Sequence, residues 1–178
     1  MTPCVIWFYG LSGAGKTSLS EALAAHLKGN NIPCLRLDGD DIRSGLSRDL
    51  QFSATDRAEN VRRTAEVARL ACQQGLVVLV ALITPTQSLR AAARGVMHPL
   101  PFHEIFLDCD YQTSASRDVK GLYALAEAGQ IYDFTGKDST FEIPSAPDLQ
   151  VNTHSQSLDQ SLAEILHFLS ILPHRMPK

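Results

Sequence analysis

The stretch Gly10-Leu11-Ser12-Gly13-Ala14-Gly15-Lys16-Thr17 fits the pattern G-x-x-x-x-G-K-[ST], whose meaning depends on its flanks. Before it, residues 4–9 (CVIWFY) are apolar and rich in β-formers, the mark of a buried strand. After it, Leu19, Ala22, Leu23 and Leu27 recur at helical spacing, so the loop opens a helix. In that order the glycines let backbone N–H groups turn in around an anion, and the helix N-terminus adds partial positive charge. Lys16 then reaches the outer phosphates of a triphosphate, and the Thr17 hydroxyl ligates Mg²⁺. A glycine turn that only joins strand to helix is the bland alternative, and it leaves the Lys-Thr pair unexplained.

Outward from this loop, apolar and amphipathic runs alternate. Residues 34–37 read as a second strand, 42–50 as a short helix, and a long helix starts at Thr55 and stops at Gly75. Residues 76–83 (LVVLVALI) are apolar throughout, as in a central parallel strand covered on both faces. A helix over 87–97, a strand over 104–108 and a short helix over 112–116 follow. The polar, glycine-punctuated run 117–147 has the length of a functional lid. A strand over 148–152, a helix over 158–172 and a frayed tail from Pro173 close the chain. The predicted class is α/β: a three-layer fold of P-loop kinase type, with a five-stranded parallel sheet and a lid at about 117–147. Without a linker or repeat, residues 1–178 are expected to form one domain.

Composition narrows the partners. With 178 residues, 44% hydrophobic and 20% charged, the chain is long enough for a full core and ordinary for a globular protein. A net charge of −3 argues against a nucleic-acid polymer but permits a local cationic pocket for a small phosphorylated ligand. Cys4, Cys34, Cys72 and Cys109 are scattered without C-x-x-C or zinc spacing; Cys4 and Cys34 fall in expected strands and read as core. No apolar run reaches spanning length and no signal peptide precedes the first strand, so a soluble, cytoplasmic protein without a membrane partner is expected.

Three further sets of residues have chemistry to offer. Asp38-Gly39-Asp40-Asp41 ends the second strand, where α/β sheets bind ligands. Asp38 and Asp40 are candidates for the metal shell or an acceptor hydroxyl, and they also fit a turn that caps a helix. On the long helix Arg57 and Asn60 share a face suited to an anionic acceptor. Arg57, Arg62 and Arg63 fit equally a solvated helix paired with Asp56, Glu59 and Glu66. The run 117–147 holds Arg117 and Lys120, cations able to close over a triphosphate, and Phe134, able to stack on a base.

The chain resembles the adenylyl-sulfate kinases. The matching stretches are GLSGAGKTS (10–18), LDGDDIRSGLSRDLQFSATDRAENVRRTAEVA (37–68), LITP (82–85), RDVKGLYALAEAGQIYDFTGKDSTFEIP (117–144) and the closing NT (152–153). The resemblance implies ATP-dependent phosphorylation of the 3′-hydroxyl of adenosine 5′-phosphosulfate, within sulfate activation. It assigns ATP and Mg²⁺ to Gly10, Ser12, Gly13, Ala14, Gly15, Lys16, Thr17 and Ser18, with Arg117 also on the nucleotide and Asp38 beside Thr17 at the metal. It places Asp40, Arg43, Phe52, Arg57, Asn60, Ile83, Thr84, Lys120, Asp133 and Phe134 around the acceptor. Lys16, Asp38, Asp40 and Thr84 are the expected catalytic set; Phe52 and Phe134 would offer aromatic faces to the acceptor's adenine. A homodimer and a functional link to an ATP sulfurylase are also implied.

Three departures from the family pattern stand out. Thr84 replaces the usual serine, a residue assigned in the family as a phosphorylated intermediate; direct in-line transfer needs only ATP and acceptor aligned. Ala124 and Glu127 stand where basic residues often follow KGLY, and the usual P-L-x-x-C-E is missing between Asp108 and Arg117. Two other readings fit the same motifs: a P-loop kinase acting on another small hydroxyl acceptor, and a weakly catalytic nucleotide-sensing subunit.

Overall fold

The computed structural model describes residues 1–118, 121–130, 134–137 and 139–172. Strands β1 (Val5–Tyr9), β2 (Cys34–Asp38), β3 (Val77–Ala81), β4 (Phe102–Asp108) and β5 (Leu149–Asn152) form one sheet in the order β2-β3-β1-β4-β5. Every pairing is parallel, as crossover helices require.

Side-chain alternation along β1 feeds two cores. Ile6 and Phe8 point to the face covered by α1 (Lys16–Gly29) and α7 (Leu158–Ile171), where Leu23, Leu79, Leu107 and Ile165 join them. Val5, Trp7 and Tyr9 point to the face covered by α3 (Ala54–Gln73) and α4 (Gln87–Met97), with Val61, Ala65, Val80 and Met97. The central strands β1 and β3 are buried along their whole length, which is why each reads as an unbroken apolar run. All four cysteines are free thiols; Cys4, Cys72 and Cys109 are buried and Cys34 partly so. Burial pushes the Cys4 thiol up to about 12, far from a reactive thiolate. No helix among the described residues is long and apolar enough to cross a membrane.

The strand order reverses at β1, so a crevice opens at the carboxyl ends of β1 and β3. Several element bounds differ from the sequence expectation. The short helix expected over 42–50 is α2, Gly39–Ser44, because the Asp38 side chain caps it directly off β2 by accepting from the Asp40 N–H. Turns occupy the rest of that span. β3 is shorter than the apolar run, since Thr84, at φ 42, leaves the extended region. The run 117–147 is not a bare loop: it carries α6 (Leu122–Glu127), with Gly121 in the left-handed region before it. A preceding helix, α5 (Tyr111–Arg117), starts from an Asp110 cap. The tail from Pro173 lies outside the described residues.

The fully buried Ile165 ties α7 to the sheet. Ile165→Ala should destabilise the fold by about 2–5 kcal/mol, read as a lower urea midpoint with an unchanged m-value.

Candidate active site

The loop between β1 and α1 is shaped by glycines that no other residue can replace without strain. Gly13 sits at φ 76, and an added Cβ would meet the Ser114 carbonyl oxygen at 2.6 Å. Gly15, at φ 92, is the N-cap of α1 and has no side chain to cap it, so the first N–H groups of that helix are available to an anion. The Lys16 ammonium donates to the carbonyls of Gly10 (3.1 Å) and Leu11 (2.6 Å), which holds it across the loop. Ser12 and Ala14 are tied from behind: Tyr123 donates from its hydroxyl to the Ser12 carbonyl (2.8 Å), and Thr153 to that of Ala14 (3.0 Å). Thr17 and Ser18 open α1 with exposed side chains.

Asp38 joins this loop to β2. Its Oδ2 accepts from the Thr17 hydroxyl at 2.8 Å and lies 3.2 Å from Arg36, while its Oδ1 accepts from the Asp40 N–H at 3.0 Å. The metal-shell and helix-cap readings of Asp38 are therefore compatible, one oxygen for each. Asp38 is buried; Asp40, two residues on, is exposed. A hydroxyl and a carboxylate at this separation are the hard oxygen donors Mg²⁺ takes, usually with substrate phosphates supplying the rest of its shell. No cluster of three His, Cys, Asp or Glu able to hold a metal exists among the described residues.

Across α2 and α3 the arginines divide by role. Arg62 and Arg63 both donate to Glu59 on the same helix, and Arg63 also grips Asp49 and the Leu46 carbonyl, so it fastens the 45–50 turns to α3. Arg57 instead donates to the Phe52 carbonyl (2.9 Å), with its guanidinium 5.6 Å from the Phe52 ring. Arg43 lies on the same ring at 4.5 Å and donates to the Gln51 carbonyl; burial lowers its pKa. Phe52 is 52% exposed and flanked by two cations, an aromatic face open to a ligand. On the same helix as Arg57, Asn60 is buried, and its Oδ1 accepts no hydrogen bond among the described residues. This cradle can take an anionic, aromatic ligand.

The loop after β3 lies between these halves. The Ile83 carbonyl accepts from the Gly10 N–H at 3.4 Å. The Thr84 hydroxyl accepts from the Trp7 indole at 2.9 Å and the residue is 2% exposed. Phe134 does not lie free beside Phe52: it packs edge-on against Tyr123 (4.8 Å), which in turn meets Tyr111. Arg117 donates to the carbonyls of Gly13 (3.4 Å) and Thr153 (2.7 Å), beside the phosphate loop. Lys120 and Asp133 lie outside the described residues.

A cleft of about 510 Å³ opens between the end of β4 and residues 136–143. It shares Leu11 with the loop but none of Arg43, Phe52 or Arg57, so it borders the site without containing the cradle. Among residues the sequence did not single out, Arg36 and Thr153 brace Asp38 and Ala14. Arg90 is a third; its signal was its spacing, a charge at i of the buried set Arg90, Ala93 and Met97.

The adenylylsulphate kinase family model matches residues 2–152. The adenylyl-sulfate kinase of Geotalea uraniireducens (strain Rf4) is 46% identical over 167 residues, covering 94% of this chain and 80% of that protein. The bifunctional enzyme CysN/CysC of Xylella fastidiosa (strain Temecula1) is 45% identical over 96% of this chain, which spans only 27% of that enzyme. Among solved structures, the Mycobacterium tuberculosis APS kinase CysC in complex with AMPPNP and APS superposes with a TM-score of 0.92 at 42% identity, covering 95% and 98% of the two chains. A hexameric APS kinase from Thiobacillus denitrificans matches at a TM-score of 0.69 and 28% identity, over 93% of this chain and 28% of that one.

Hydrogen bonds from Arg62 and Arg63 hold the Glu59 carboxyl down at about 2, against an ordinary 4.5. A depressed carboxylate stabilises the fold above its unfolded value and loses that contribution as pH falls through the folded one. Glu59→Gln should therefore flatten the loss of stability between about pH 4.5 and 2, measured as urea midpoints across that window.

Proposed function

This chain belongs to the adenylyl-sulfate kinase family, and we infer that it transfers the γ-phosphate of ATP to the 3′-hydroxyl of adenosine 5′-phosphosulfate. The products are 3′-phosphoadenylyl sulfate and ADP. The observation that carries the reading is the Thr17–Asp38 contact: it joins the phosphate loop to the stretch from which the Arg43, Phe52 and Arg57 cradle continues.

Phosphoryl transfer asks the protein for alignment and charge stabilisation rather than covalent chemistry. The loop from Gly10 to Ser18 takes the ATP phosphates on backbone N–H groups, and Lys16 swings from the Gly10 and Leu11 carbonyls to the charge that develops on the transferred group. Arg117, beside Gly13, serves the nucleotide side. Thr17 and Asp38 would hold Mg²⁺, which offsets phosphate charge when bound. Asp40, exposed where Asp38 is buried, orients the acceptor hydroxyl. Arg43 and Arg57 meet the acceptor's anionic groups and Phe52 its adenine. Phe134, packed on Tyr123, joins that pocket on the family resemblance, and Asn60 offers an Oδ1 that accepts no hydrogen bond from the described residues. Ile83, Thr84, Lys120 and Asp133 complete the pocket on the family resemblance.

The hydroxyl of Thr84 has a structural partner in Trp7 and almost no exposure, which favours direct transfer over a phosphothreonine intermediate. The free thiols and the use of ATP support a cytoplasmic location. The match inside a bifunctional enzyme favours work beside an ATP sulfurylase. The family resemblance implies a homodimer, whereas one related structure is hexameric; light scattering of the purified chain decides between them.

ADP release by the purified chain, measured with adenylyl sulfate against a panel of sugar, nucleoside and antibiotic hydroxyl acceptors, tests the reading. Strong preference for adenylyl sulfate is expected; equal or better use of another acceptor, or no turnover without a partner, contradicts it. Lys16→Ala should cut kcat by on the order of 100-fold or more. Arg57→Ala should raise the acceptor KM by about 10-fold and leave that for ATP alone. Thr84→Ala should keep most of its turnover; an inactive but folded variant would argue for a covalent intermediate.

A further inference from the structure

Arg90 is an arginine on the buried face of α4, 6% exposed, and its contacts reach three separate parts of the chain. Its guanidinium donates from Nη1 to the Thr84 carbonyl (3.1 Å) and from Nη2 to the Glu142 carbonyl (2.9 Å). It also lies 5.1 Å from the ring of Tyr9, the residue immediately before Gly10, and 5.9 Å from the ring of Phe141. Around it the same two segments are laced directly. The Glu142 N–H donates to the Pro85 carbonyl (2.9 Å), the Glu142 Oε2 accepts from the Gln87 N–H (2.6 Å), and Phe141 stacks on Phe106.

We propose that Arg90 is a positioning residue, a three-way clamp that fixes the returning limb 139–143 and the 84–86 turn against the end of β1. A planar guanidinium suits this place because it spends two donors on two carbonyls in its plane while presenting faces to two rings. Thr84 needs such support: a β-branched residue at φ 42 stays there only if its surroundings over-determine it, and Arg90 holds its carbonyl while Trp7 holds its hydroxyl. Arg90 hydrogen-bonds the Thr84 carbonyl and meets the start of the phosphate loop through the Tyr9 ring, so its removal loosens the acceptor side of the crevice more than the loop. That last step rests on the acceptor assignment made above.

Arg90→Met keeps bulk and removes the donors; Arg90→Lys keeps charge and loses the fork; Ile165→Ala is a control that lowers stability far from the clamp. For each, hydrogen exchange of the Glu142 and Gln87 amides, ADP affinity by calorimetry, and acceptor KM against kcat are measured. For Arg90→Met the expected result is at least tenfold faster exchange at both amides and at least a tenfold rise in acceptor KM. ADP affinity should stay within twofold and kcat within threefold. Arg90→Lys should fall between, and Ile165→Ala should move neither the two amides nor the acceptor KM. Unchanged exchange at Glu142 overturns the clamp. Faster exchange with unmoved acceptor KM, or a parallel loss of ADP affinity, overturns its positioning role. If the unsubstituted chain ignores adenylyl sulfate, the acceptor assignment fails, and the clamp still stands or falls on the exchange data.

Discussion

The arrangement turns on one buried carboxylate. Asp38 ends β2, two strands away from β1, yet its Oδ2 lies 2.8 Å from the hydroxyl of Thr17 at the start of α1. A carboxylate in such a place must be hydrogen-bonded on both oxygens, because an unmet buried charge costs several kcal/mol. Thr17 and Arg36 meet one oxygen and the Asp40 N–H the other. The same bonds that satisfy Asp38 thereby set the start of α2, and through α2 the place of Arg43, relative to the phosphate loop. Stability and site geometry are the same set of contacts here.

On the other side of the crevice, polar side chains tie a mobile-looking sequence to rigid elements. Tyr123, 2% exposed, bonds the Ser12 carbonyl while its ring meets Phe134, and burial pushes its hydroxyl up to about 12. It remains a donor at any physiological pH. Asp118 caps α6 by accepting from the N–H groups of Tyr123 and Ala124. The run 117–147 thus has its own small core, and its attachments to rigid elements include the Ser12 carbonyl and Arg90.

How much of this was legible beforehand depended on how local the cause was. The five strands, their parallel order and the glycine loop follow from apolar period and from residues adjacent in sequence, and the structure keeps them all. α2 starts earlier than the mixed segment 42–50 suggests, because a capping contact from Asp38 decides its start. α6 was missed because six residues bounded by Gly121 and Gly129 look like loop when read without the Tyr123–Phe134 packing that holds them. Motif spacing marks Lys16 and Thr17, and the Thr17 hydroxyl meets Asp38 in the structure. Spacing could not separate the role of Arg57 from that of Arg63, since both lie within two helical turns; Arg63's partners 14 and 17 residues away, Asp49 and the Leu46 carbonyl, make that division. Arg90 shows in the sequence only as a charge on an apolar helix face; its role depends on partners 6 and 52 residues away.

The most direct test is a crystal structure of the chain with ADP and adenosine 5′-phosphosulfate bound together. The account predicts the β-phosphate within the loop from Gly10 to Thr17, and the acceptor on Arg43, Phe52 and Arg57 with its 3′-hydroxyl turned toward Asp40 and the phosphate loop. An acceptor seated instead in the cleft between the end of β4 and residues 136–143, with the cradle bare, would contradict it.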